Sequence, residues 1–186
     1  MPLRGIALPT PIPNIVVSSD SLGFGHQVVL GNSTSLSLII SNDGTAPLEV
    51  SALDLSGSMP EAFATNATPP ITTNPGDSQS VEIVFTPQSE GQKAALLSIL
   101  NNDPDMPEVQ VILTGTGVAT PTIRISSNLL NFADVAPSDS ADQSVTVYND
   151  GTATLDIVTI EVTTDSAGAE FKLAPSGAIQ PGDSPF

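Results

Sequence analysis

The 186-residue chain carries four Lys and Arg against 20 Asp and Glu, a formal net charge of −16. Such a polyanion repels phosphate backbones and anionic headgroups, which argues against nucleic acid and against electrostatic docking on a membrane. With no Cys, no Trp, one His and one Tyr, the chain has no thiol chemistry and few acid–base groups other than carboxylates.

Residues 1–10 hold one Arg and two prolines and lack the apolar run of a signal peptide. Leu3-Arg4-Gly5 followed by Pro9-Thr10-Pro11 is similar to Leu113-Thr114-Gly115 followed by Thr120-Pro121. Residues 1–10 therefore read as the end strand of a preceding repeat, or as an N-terminal linker or donor strand. No stretch approaches the length of an apolar membrane span, so no direct membrane insertion is expected. The sequons Asn32-Ser33-Thr34 and Asn66-Ala67-Thr68 matter only on a eukaryotic secretory route.

From residue 34 the apolar residues recur with period two. Leu36, Leu38 and Ile40 alternate with Ser35, Ser37 and Ile39. Val81, Ile83 and Phe85 form a second trio, and Val109, Val111 and Leu113 a third. Each trio lies on one face of a strand. Asn42-Asp43-Gly44 is expected to supply the positive φ angles of a tight hairpin. Leu48 and Val50 share a face, then Leu53 and Leu55 do, with a phase slip at Ser51-Ala52 that reads as a β-bulge. A short helix is the alternative there, as it is over Ala94–Leu100, where Gly91 and Asn101-Asn102-Asp103-Pro104 favour a strand.

The chain repeats itself. Ile15-Val16-Val17-Ser18-Ser19 returns as Ile123-Arg124-Ile125-Ser126-Ser127, and Leu22-Gly23-Phe24 as Leu130-Asn131-Phe132. Asn42-Asp43-Gly44-Thr45-Ala46 returns as Asn149-Asp150-Gly151-Thr152-Ala153, and Pro75-Gly76-Asp77-Ser78 as Pro181-Gly182-Asp183-Ser184. Phe63 matches Phe171, and a second bulge is expected at Val158-Thr159. About seven short strands in about 105 residues describe an immunoglobulin-like sandwich.

Several motifs carry a family resemblance. They are Ser-Ser-x-Ser-Leu-x-Phe-Gly at 18–25, Asn-Asp-Gly-Thr-Ala-Pro-Leu at 42–48, Pro-Gly-Asp-Ser at 75–78 and Val-x-Ile-x-Phe-Thr-Pro at 81–87. Asn-Asp-Pro-Asp-x-Pro at 102–107 and Leu-Thr-Gly-Thr-Gly at 113–117 complete them. Together they resemble the ASPM–SPD-2–Hydin (ASH) superfamily and the related bacterial choice-of-anchor D repeats, fully over 11–118 and in part over 119–186. The resemblance implies a non-enzymatic sandwich, often in tandem, with no catalytic residues. It also implies either a cilium, centrosome or microtubule setting or a large exported bacterial surface protein.

The second copy holds no counterpart of residues 79–117. Val145, Val147, Leu155 and Ile157, with Phe132, would then have little to pack against. Each such side chain contributes about 1.5–3 kcal/mol when fully buried. Losing several exceeds the usual domain stability of about 5–15 kcal/mol. The four aliphatic residues are the expected interaction edge, open or covered by another chain.

Other candidates are few. His26 is the only imidazole, and no Gly-x-Ser-x-Gly elbow accompanies it, so neither catalysis nor a metal site is expected there. Asn101, Asp103 and Asp105 cluster oxygens suited to calcium, but the same residues suit the capping of a turn. Asp20, Asp43, Asp77, Asp139, Asp142 and Asp183 read as solvated loop acids, and Asp134 stands in the second copy where the first has His26. Phe24, Phe63, Phe85, Phe132 and Phe171 read as core. No cofactor is implied.

The sequence thus reads as all-β, with tandem immunoglobulin-like sandwiches of which the second is incomplete. Its expected parts are 1–10, a complete sandwich over 11–118, and a second repeat over 119–186 lacking its last three strands. The expected role is a non-catalytic spacer, scaffold or adhesion module whose partners are proteins: neighbouring repeats or copies of itself. The acidic surface favours an extracellular or cell-surface place over a cytoskeletal or ciliary one. The alternatives are a self-assembling filament subunit completed by strand exchange, and a cilium- or centrosome-associated binding module.

Overall fold

The computed structural model describes residues 10–25, 28–136, 138–161 and 178–183. The chain divides into two compact units, Met1–Val118 and Ala119–Phe186. The described residues are all-β, with one three-residue 3-10 turn at Pro60–Ala62 and no α-helix.

The first unit holds ten strands: β1 Ile15–Val17, β2 Ser21–Gly23, β3 Val28–Val29, β4 Thr34–Asn42, β5 Leu48–Ser56, β6 Phe63–Thr65, β7 Ile71–Thr73, β8 Ser78–Phe85, β9 Gly91–Asn101 and β10 Glu108–Val118. One sheet has the order β1-β4-β8-β6. The other has the order β2-β10-β9-β5-β7, with β3 also on β10. Both β2 and β3 run parallel to β10, so one long strand carries two short edge pieces. The edge strands β1, β6 and β7 are three residues each, which leaves little open backbone for unwanted pairing.

The period-two pattern explains the core. Leu38, Ile40, Val50, Ile83, Phe85, Leu97 and Val111 are all buried in one cluster. The ambiguous run Ala94–Leu100 is a strand: Lys93, Ala95, Leu97 and Ile99 point inward, and Ala94, Leu96 and Ser98 do not. Gly91 and the Asn101–Pro107 turn bound it, and Ala and Leu propensity yields to sheet pairing. Phe24, Phe63 and Phe85 form an aromatic triangle with centroids 4.9–5.7 Å apart. Gly115 lies under Phe85, where a Cβ would stand 2.6 Å from Cε1. The glycine is there because the ring occupies the space of a side chain.

The turn at Asn42-Asp43-Gly44 differs from the sequence expectation. β4 and β5 lie in different sheets, so this is a corner between layers and not a hairpin. Gly44 is not among the residues with positive φ. A Cβ there would stand 2.5 Å from Asn14 N and from Ile12 O, so close backbone approach selects glycine. Asn42 is fully buried and ties the corner together. Its Oδ1 accepts from Gly44 N (3.0 Å) and Asn14 N (3.2 Å), and its Nδ2 donates to Ala46 O (2.8 Å) and Thr73 O (2.9 Å). Its backbone N donates to Asp77 O and its carbonyl accepts from Gly76 N. One residue therefore joins β4, the segment before β1, the corner and β7 through its side chain, and the Pro75–Ser78 turn through its backbone.

The bulge expected at Ser51-Ala52 is present. Val50 pairs with Asn101 and Ala52 with Leu100, so Ser51 is the extra residue. Nearby, Thr73 Oγ1 is buried without a hydrogen-bond partner. A buried unpaired hydroxyl costs about 1–3 kcal/mol. Thr73→Val keeps the shape and removes that group, so it is expected to stabilise the first unit by about 1 kcal/mol. The readout is a higher denaturant midpoint at unchanged slope. The corresponding residue of the second copy, Ile179, is fully buried and apolar.

The second unit, taken by itself, holds β11 Ile123–Ile125, β12 Val147–Asn149, β13 Leu155–Asp156 and β14 Ala178–Ile179. Ile123 pairs with Asn149 as Ile15 pairs with Asn42, and Leu155 pairs with Ile179 as Leu48 pairs with Thr73. The buried amide recurs too. Asn149 Oδ1 accepts from Gly151 N (3.1 Å) and Thr122 N (3.2 Å), and Nδ2 donates to Ala153 O (2.7 Å) and Ile179 O (3.0 Å). Gly151, like Gly44, lies against backbone, here that of Thr120–Thr122. The bulge expected at Val158-Thr159 is not formed. Residues 157–161 are in no strand, and a bulge needs a partner ladder such as β9 gives β5.

Candidate interaction surface

The Asn149 node fixes β11 beside β12 and sets the two faces of that ribbon. Arg124 and Tyr148 pair across it on one face, and Ile123, Ile125 and Val147 lie on the other. Arg124 lies 3.7 Å over the Tyr148 ring and reaches Asp150 through Nε and Nη2. The Asp150 hydrogen bond raises the Arg124 pKa against a smaller opposing effect of burial. This polar face is self-contained.

The apolar face is open. Ile15 is 3% exposed, in one cluster with Leu97, Ile99 and Val111 of β9 and β10. Its copy, Ile123, is 59% exposed, and Ile125 is 45% exposed. Leu129, Val158 and Ile160 are exposed too, but Leu129 and Val158 stand where the closed first unit has the exposed Ser21 and Ser51. The four residues expected to form the edge, Val145, Val147, Leu155 and Ile157, are half-buried. Their first-unit counterparts Leu38, Ile40, Leu48 and Val50 are buried. Ile123 and Ile125 of β11 are more exposed than Val145, Val147, Leu155 and Ile157 and were not among the residues expected at the edge.

The calcium candidates sit in the turn between β9 and β10. Asp103 is 2% exposed. Its Oδ2 accepts from Ile15 N (2.9 Å), and its Oδ1 from Asp105 N (2.9 Å) and Met106 N (3.3 Å). Asn101 Oδ1 accepts from Asp103 N, and its Nδ2 donates to Met106 O. The turn uses these groups as caps, and Asp105 is exposed. Among the described residues no three His, Cys, Asp or Glu side chains converge as metal ligands.

Desolvation pushes the Asp103 carboxyl up, but the three backbone N–H donors outweigh it and hold the pKa below 3.8. A lowered folded pKa gives stability that is present above the unfolded value and lost as pH falls through the folded one. The first unit should therefore lose stability as pH drops below 3.8. Asp103→Asn should flatten that acid limb and lower stability at neutral pH. Denaturant midpoints across the range are the check, and an unchanged acid limb in the variant counts against the assignment.

The remaining candidates disperse. Asp20, Asp43, Asp77, Asp134, Asp139, Asp142 and Asp183 are exposed. Phe132 is half-buried. His26, Phe171 and residues 1–9 lie outside the described residues. No described helix is long and apolar enough to cross a membrane.

The profile of the family described as "Abnormal spindle-like microcephaly-assoc'd, ASPM-SPD-2-Hydin" matches residues 14–109. The chain belongs to the ASH family. An ASH domain is an immunoglobulin-like, PapD-like sandwich of a kind that mediates protein–protein interaction. No curated protein matches this ASH chain. Among solved structures it is similar to a protein of unknown function from Porphyromonas gingivalis W83, at 23% identity and a TM-score of 0.48. That likeness covers 56% of this chain and 46% of the other, less than half its length. It is also similar to the ASH/PapD-like domain 7 of human CEP192, at 16% identity and a TM-score of 0.46 over 63% of this chain and 96% of that domain.

Proposed function

We propose that this ASH chain is a non-catalytic structural and interaction module built from tandem immunoglobulin-like repeats. Its first sandwich is a closed spacer over residues 11–118. Its second copy, residues 119–186, presents an incomplete sandwich that takes up protein. The module serves as a spacer, scaffold or adhesion part of an extended extracellular or cell-surface assembly. The observation that carries this reading is the pair Ile15 and Ile123, the same residue in the same register, 3% and 59% exposed. Two buried asparagine nodes of identical wiring support treating the units as copies. A surface charge of one dominant sign keeps such an assembly soluble.

Sedimentation of the full chain over a concentration series tests the reading. Concentration-dependent association is expected, and it should weaken at least tenfold in the double variant Ile123→Ser, Ile125→Ser. Both residues are open, so the change should spare the fold, and circular dichroism verifies that. A full chain that stays monomeric at every concentration overturns the reading, as does association that the double variant leaves untouched.

A further inference from the structure

We infer that the open half of β5, centred on Asp54, takes up an extended cationic segment of a partner protein as one more strand of its sheet. The site lies wholly in the first unit and is separate from the β11 face. β9 covers one side of β5, with Ala52 opposite Leu100, Asp54 opposite Ser98 and Ser56 opposite Leu96. β7 covers the other side only at Leu48–Val50. The ladder stops there for two reasons. Ser51 is the bulged residue, and Ile71 is preceded by Pro69-Pro70, which has no N–H to carry the pairing further along β5.

The phase of the hydrogen bonds fixes which groups are left over. Asn101 N donates to Pro107 O on the β10 side of β9, and Ala94 O accepts from Met59 N on the β5 side. Bonding direction alternates along an antiparallel strand, so Leu96, Ser98 and Leu100 bond toward β5, to Ser56, Asp54 and Ala52. The N–H and C=O groups of Leu53 and Leu55 therefore point away from β9, and among the described residues no strand lies beside them. Both leucine side chains are half-buried at the rim of the core, and Asp54 between them is exposed on the outer face. A strand laid along this edge bonds to the main chain of both leucines. Its residues opposite Leu53 and Leu55 extend the core, and the residue between them stands opposite Asp54.

Charge selects the occupant. Lys93 is the only Lys or Arg in residues 10–118, and it is buried, with Nζ donating to Glu90 O. The described surface of the first unit thus presents carboxylates with no exposed ammonium or guanidinium among them, and Glu49 and Asp54 share the outer face of β5. A second copy of this chain, at −16, sets acid against acid. A segment with Lys or Arg between apolar residues places its cation beside Asp54 and its apolar side chains beside Leu53 and Leu55. β4 has a comparable open stretch at Ser35 and Ser37, beyond the reach of β1, but its outer face there carries serines and no acid.

The probe is a synthetic peptide of alternating Val and Lys, added to the full chain in dilute solution. The amides of Leu53 and Leu55 should become protected from hydrogen exchange, and those of Ser35 and Ser37 should not change. A peptide of the same composition with its Val and Lys in separate blocks keeps the charge but cannot put the two on opposite faces, so it should bind about tenfold more weakly. Asp54→Lys changes an exposed side chain and should weaken the alternating peptide about fivefold at an unchanged circular dichroism spectrum. Equal binding of the block peptide, or binding that leaves Leu53 and Leu55 unprotected, reveals attraction to acid alone and overturns the inference. Absence of binding overturns it too. Protection of Leu53 and Leu55 on concentrating the chain alone makes a second copy the occupant, which also overturns it. None of these outcomes bears on association through β11, which Ile123→Ser, Ile125→Ser reads separately.

Discussion

Asn42→Asp should destabilise the first unit by about 3–5 kcal/mol, although it changes one NH2 to an oxygen. The side chain is fully buried, and its Nδ2 donates to Ala46 O and Thr73 O. A carboxylate there faces two carbonyl oxygens with no proton to offer. It leaves both acceptors unpaired and brings a buried charge against their dipoles. The bonds accepted from Gly44 N and Asn14 N survive, so the change isolates the donated pair. The pH dependence is diagnostic. Burial against oxygens raises the folded pKa of the new carboxyl above its unfolded value, so protonation favours the folded state. Acid should therefore partly rescue Asn42→Asp, opposite in sign to the contribution of Asp103. Asn149→Asp should act in the same way on the second unit. Urea midpoints at two pH values are the measurement, and a loss below about 1 kcal/mol contradicts the role given to the node.

Phe85→Ala should cost the first unit about 3–5 kcal/mol. It removes the hub of the triangle with Phe24 and Phe63 and empties the space above Gly115. Gly115→Ala alone should cost about 1–3 kcal/mol, because its Cβ meets Cε1, Cζ and Cδ1 of Phe85 at 2.6–2.9 Å. The two changes share one space. In the Phe85→Ala background the added methyl fills part of the cavity, so the double variant should be less destabilised than the sum by about 1–2 kcal/mol. Urea unfolding of the three variants measures the coupling, and strict additivity contradicts the packing.

The strands were legible because period two is imposed by the pleat, and every residue expected in the core of the first unit lies there. The corner at Asn42 was less so. Asn-Asp-Gly has the composition of a hairpin turn, and only tertiary placement reveals that its glycine answers a backbone contact and its asparagine a buried junction. The repeat of all five residues was visible, but the reason was not. The bulge was readable at Ser51, where β9 supplies a ladder to break, and not at Val158, which lies in no strand. Asp103 was legible as a cap or a ligand, since oxygen-rich turns serve both, and the N–H donors on its oxygens distinguish the uses. The burial of Ile15 depends on residues far off in sequence, such as Leu97 and Ile99 of β9 and Val111 of β10, so the exposure of its copy Ile123 was not legible from the local pattern.

Hydrogen exchange on the full chain, dilute and concentrated, bears most directly on the claim that the open side of the second unit takes up protein. In dilute solution the amides of β4, β8, β9 and β10 should exchange slowly and those of Ile123 and Ile125 fast. On concentration, Ile123 and Ile125 should become protected while the first-unit strands stay as they were. Fast exchange at Ile123 and Ile125 in both samples, or protection that appears only in the first unit, would contradict it.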